Sequence, residues 1–149
     1  MQFTAMEEEI SQLNELLKSS REAALGYQTA SEQVDSEQLQ KMLLNYGKQR
    51  QDFAYNLEQQ IRILGGRPTG IKSSISAGAH RIWINLKGSV GQEDHSILQE
   101  CLRGEQEALK YYETILDETT FSNDTRLLLA HQMQKIKDAN KELERMIKN

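Results

Sequence analysis

The chain has 149 residues, a net charge of −4, 38% hydrophobic and 27% charged residues, one proline and one cysteine. Its acidic balance leaves no general basic field for phosphate backbones, so nucleic acid is not an expected partner. A lone cysteine makes no intrachain disulfide and suits a reducing cytoplasm. The opening "MQFTAMEEEI" has neither a basic nor an apolar leader region, and no uncharged stretch reaches membrane-span length, so a cytoplasmic protein without a membrane partner is expected.

Abundant Glu, Gln, Lys, Leu and Ala favour helices throughout. Apolar residues repeat in steps of three and four at Ile10, Leu13, Leu17, Ala24, Tyr27 and Val34, passing through Ser20 and Ser31, and predict a helix over about residues 6 to 34. Glu7-Glu8-Glu9 reads as a favourable acidic start for it. Asp35 or Ser36 is placed to cap a second helix, about 37 to 64, whose stripe is Leu39, Leu43, Tyr46, Phe53, Leu57 and Leu64 and which Gly65-Gly66 stops. So short a connection makes the first two helices antiparallel.

"GGRPTG" is a loop. Beyond it Ile75, Ala79, Ile82 and Leu86 share one face and predict a short amphipathic helix over about 74 to 87, with Trp83 on its flank. A third long helix, about 93 to 118, begins at Glu93 or Asp94 and carries Leu98, Cys101, Glu105, Ala108, Tyr112 and Ile115. A fourth, about 123 to 148, carries Leu129, Met133, Ile136, Ala139, Leu143 and Ile147.

The two hairpins match each other at a nearly constant offset. A shift of 85 places Leu13 on Leu98, Glu22 on Glu107, Ala23 on Ala108 and Tyr27 on Tyr112. A shift of 86 places Leu43 on Leu129, Asp52 on Asp138, Leu57 on Leu143 and Ile61 on Ile147. An internal repeat of two helical hairpins, joined by a long crossover, is the expected organisation of one domain over residues 1–149.

Paired hairpins with a long central connection resemble the ferritin-like four-helix bundle. "REAALGYQTASEQ", "AHRIWINLKG" and "HSILQECLRGEQEALKYY" more particularly resemble a bacterial ferritin-like family whose members are mostly of unknown function. The resemblance implies an all-α fold and, at full chemical strength, a di-iron site built from two single glutamates and two Glu-x-x-His pairs. It puts the single glutamates at Ser20 and Glu105 and the pairs at Arg50/Phe53 and Ile136/Ala139, so only Glu105 keeps a ligand. The residues agree. Ala77, Gln92 and Leu128 stand three positions before His80, His95 and His131, and no Glu-x-x-His exists. No metal and no cofactor are therefore expected.

The same layer raises another pairing. Glu105 and Arg50 are candidates for a buried ion pair across the core, with Glu22 or Glu107 assisting, because a buried carboxylate needs a partner and Arg offers a forked one. Tyr27 and Tyr112 read as core aromatics whose hydroxyls bond across the bundle. Cys101 lacks a neighbouring His and reads as a small buried hydrophobe. His80 and Trp83 are the candidate contacts of the crossover, either lining a small pocket or anchoring a surface helix. A non-catalytic bundle acting by association in stress physiology, as a homo-oligomer or with a protein partner, is the leading expectation. The alternative is a metal-binding or oxidoreductase protein with an atypical carboxylate site around Glu105.

Overall fold

The structure, a computed structural model, describes residues 4–69 and 93–148. All secondary structure among them is helical: α1 (Ala5–Gln33), α2 (Glu37–Ile63), α3 (Asp94–Glu118) and α4 (Asn123–Lys148). The expected short helix over 74 to 87, with His80 and Trp83, lies outside the described residues.

Local chemistry sets the helix ends. Thr4 and Glu7 form a reciprocal capping box on α1, with Glu7 N donating to Thr4 Oγ1 at 3.1 Å. Ser36 caps α2 by accepting from Leu39 N at 3.3 Å. At the far end of α2, Gly65 takes φ +85°, the left-handed conformation that glycine adopts without a Cβ penalty. Gly65 N then donates to Arg62 O and Gly66 N to Ile61 O at 2.9 Å, which satisfies the last carbonyls in a Schellman arrangement.

The four helices form a ring of neighbours, α1–α2, α1–α3, α3–α4 and, more sparsely, α2–α4. Contacts at the ends give their directions. Asp94, at the start of α3, accepts from Asp35 N at 2.9 Å and Ser36 N at 3.2 Å, beyond the end of α1. Glu9, at the start of α1, meets Ser122 and Thr125 at the start of α4. Hence α3 begins at the end of the bundle opposite to the one where α2 stops. The chain leaving α2 already heads that way: Asn14 bonds both Arg67 O (3.2 Å) and Thr69 N (2.8 Å), and Arg21 donates to Thr69 O at 3.0 Å while pairing with Glu58 of α2.

Two apolar clusters fill the interior. One gathers Leu13, Leu16, Leu17, Phe53, Leu57, Ile61, Tyr112, Ile115, Leu129 and Ile136 around the end where α1 begins. The other gathers Tyr27, Ala30, Val34, Leu43, Ile97, Leu98, Cys101 and Leu143 around the opposite end. On every helix the step from one cluster to the other passes a buried polar residue: Ser20, Arg50, Glu105 and Asn140. The middle of the bundle is thus a polar layer between two apolar ones.

Candidate functional site

Each member of the polar layer arrives on the inward face of its helix for the same reason as its apolar neighbours. Arg50 lies seven residues after Leu43 and three before Phe53, and Glu105 lies four after Cys101 and seven before Tyr112, all steps that keep to one helical face. Arg50 and Glu105 are each 2% exposed, and Arg50 Nη2 donates to Glu105 Oε2 at 2.5 Å. The guanidinium also lies 5.8 Å from the ring centre of Tyr27 and 5.3 Å from that of Phe53, within cation–π range. Burial works against the guanidinium's charge, but the adjacent carboxylate outweighs it and Arg50 is held charged above the ordinary arginine range.

Backbone and amide groups complete the layer. Asn140 Nδ2 donates to Glu105 O at 3.2 Å and Ile136 O at 3.0 Å. Tyr112 Oη donates to Gln132 Oε1 at 2.7 Å, and Gln132 Nε2 reaches Phe53 O at 3.4 Å. These bonds tie α3 to α4 and α4 to α2 at the level of the ion pair. The buried hydroxyl of Tyr27 lies beside the Glu105 carboxylate of α3, while Arg50 Nε has no protein hydrogen-bond partner among the described residues.

Of the other acids expected to assist, Glu107 is exposed. It lies two residues from Glu105, about 200° around the helix, and is therefore not a core residue. Glu22 is half-buried and stands close enough to Tyr111, whose hydroxyl burial pushes up to about 12, to disfavour its ionisation further. His95 is exposed, with its Nε2 3.1 Å from Ile147 O.

Burial sets the ionisation of the thiol and phenols around the layer. Burial first, then Glu105, raises the Cys101 thiol to about 12, so it is a protonated, inert sulfhydryl. Burial also raises Tyr27 and Tyr112 above the ordinary phenol range, with the Glu105 charge adding to both. Tyr46 is pushed up to about 12 by burial and by Glu142.

The di-iron site implied by the ferritin-like resemblance does not fit these residues. The six corresponding positions hold Ser20, Arg50, Phe53, Glu105, Ile136 and Ala139, one carboxylate in all. That carboxylate faces a guanidinium, which has donors only and repels a cation. Among the described residues no group of three His, Cys, Asp or Glu side chains is placed to hold a metal ion.

The family model described as "Domain of unknown function (DUF2383)" matches residues 8–118, which span α1, α2 and α3. The chain belongs to this family. The DUF2383 match takes in Ser20, Tyr27, Arg50, Phe53, Glu105 and Tyr112, while α4, with Gln132 and Asn140, follows it. A comparison with curated proteins finds no match.

A second polar site joins the hairpins and was not foreseen. Glu9, 4% exposed, accepts from Ser122 N at 2.9 Å, Ser122 Oγ at 2.7 Å and Thr125 Oγ1 at 2.5 Å, capping α4 from another helix. Burial acts to raise the Glu9 carboxyl, but the bonds from Thr125 and from the Ser122 side chain and backbone outweigh it and leave it below the usual range. Asp94 caps α2 in the same way through Ser36 N. The two acids stand 85 positions apart and the two capped serines 86 apart, the offsets of the hairpin match. That offset was the one sequence signal able to pair Glu9 with its role.

Proposed function

We propose that this DUF2383 protein is a non-catalytic bundle of ferritin-like type that acts by association, with a second copy or another protein. The observation that carries this reading is the buried Arg50–Glu105 pair at the level where the ferritin-like resemblance would hold metal. The antiparallel hairpins and the start of α3 at the end opposite to the stop of α2 support the ferritin-like arrangement. Exposed Tyr55 (62%), Ile63 (74%) and Leu127 (70%) are the apolar groups on the described surface most available to a partner. A place in stress physiology rests on the family resemblance alone.

Two measurements on untagged protein test the reading. Metal analysis after iron or manganese loading is expected to find no stoichiometric ion; stoichiometric metal that is lost in Glu105→Ala would overturn it in favour of an atypical carboxylate site. Light scattering across a concentration series, alone and with candidate partners, is expected to detect a complex. A strict monomer that engages none of them would remove the case for association.

A further inference from the structure

The end of α2 and the start of α3 lie at opposite ends of the bundle, on helices that are not neighbours in the ring. The chain joining them therefore passes over either α1 or α4. Its first residues are already on α1: Asn14 holds Arg67 O and Thr69 N, and Arg21, two turns further along, holds Thr69 O. One more turn along the same face stands Leu25, 46% exposed. From Arg21 to Asp35, whose N–H meets Asp94 at the start of α3, the rise is about 21 Å.

Charge separates the same two routes. Residues 70–92 carry Lys72, Arg81 and Lys87 and no acid. Helix α1 holds six acids against two bases and α3 seven against two, whereas α4 holds six bases against four acids. Glu15 and Glu22 of α1 both stand close to Tyr111 of α3, so the seam between these helices is acidic.

We infer that the outer face of α1, from Arg21 past Leu25 to the α3 seam, is the docking surface of the chain's own residues 70–92. The apolar set Ile75, Ala79, Ile82, Trp83 and Leu86 needs cover, and Leu25 is the exposed apolar side chain on the path that Thr69 opens. The 14 residues read as an amphipathic helix over 74 to 87 would span about the same 21 Å. Lys72, Arg81 and Lys87 meet opposite charge on α1 and α3, and would meet like charge on α4. The occupied face is then closed to other partners.

The test is nuclear magnetic resonance on the whole chain with labelled tryptophan, since Trp83 is the only one. A nitroxide is attached at Gln28→Cys, an exposed position three residues beyond Leu25, while buried Cys101 stays unlabelled. The Trp83 indole signal is expected to be lost by paramagnetic broadening, and to stay sharp when the nitroxide sits at Leu127→Cys on α4. Leu25→Lys, a change at an exposed site, is expected to restore the signal and shift Trp83 fluorescence toward that of the urea-unfolded chain. A mixture of nitroxide-bearing and isotope-labelled proteins identifies the occupant: broadening there means that a second copy covers α1, and overturns the inference. A sharp Trp83 signal beside the Gln28 nitroxide, a signal lost to the Leu127 nitroxide, or a loss indifferent to Leu25→Lys also overturns it.

Discussion

Glu105→Gln is the sharpest probe of the polar layer. The change is nearly isosteric and keeps an oxygen within reach of Arg50, but it removes the charge that compensates a guanidinium only 2% exposed. Breaking a buried pair by removing one partner costs about 3–5 kcal/mol, since the remaining charge stays buried and uncompensated. In a chain of 149 residues each kcal/mol moves the thermal midpoint by about 2–4 °C. The expected drop is therefore ~6–20 °C. Arg50→Met should cost a similar amount, because it strands the carboxylate and also removes the stacking on Tyr27 and Phe53. The double variant Arg50→Met/Glu105→Met buries no charge and should recover most of the loss. The assay is urea and thermal unfolding followed by circular dichroism on wild type, Glu105→Met, Arg50→Met and their double, read as a double-mutant cycle, with Glu105→Gln measured beside them. A Glu105→Gln midpoint within ~1 kcal/mol of wild type would refute the reasoning, as would singles that simply add in the double.

Three further outcomes follow from the same geometry. Glu9→Gln should lose about 1–2 kcal/mol of cross-hairpin capping at neutral pH. Because the folded Glu9 carboxyl is held below its ordinary value of 4.5, its contribution is present above that value and lost as pH falls through the folded pKa; the gap between wild type and variant should close in acid, as paired unfolding curves would show. Gly66→Ala places a methyl 2.7 Å from Ile10 Cγ2, although the backbone there tolerates alanine. It should cost about 1–3 kcal/mol alone and under ~0.5 kcal/mol in an Ile10→Ala background, by denaturant titration. Cys101, with its thiol pushed up to about 12, should resist a thiol reagent at pH 8 in the folded protein and react at once in denaturant; rapid labelling of the native state would contradict its burial.

The long helices were legible because their signals are local. Periodic apolar positions, Ser36 before α2 and Gly65-Gly66 after it place the described boundaries within one residue of those read from the sequence. Glu105 and Arg50 were legible as candidates because each interrupts an apolar stripe, and a charge at such a position has to be answered from another helix. Glu9 was not. Next to Glu7 and Glu8 it reads as one more acid at a helix start, and its partners Ser122 and Thr125 are 113 and 116 residues away. Asp94 does open its helix as read, but its contacts with the backbone of Asp35 and Ser36, 59 and 58 residues away, carried no local signal. Tyr27 and Tyr112 look equivalent by their offset, yet one hydroxyl bonds Gln132 and the other lies beside the Glu105 carboxylate.

What the sequence by itself determined is therefore the set of four long described helices and their inward faces, because periodicity and residue chemistry act within a few positions. Only the tertiary structure decided which polar groups meet. An inward-facing charge states that a partner is needed, and the packing of the two hairpins supplied it: Arg50 for Glu105, and the start of α4 for Glu9.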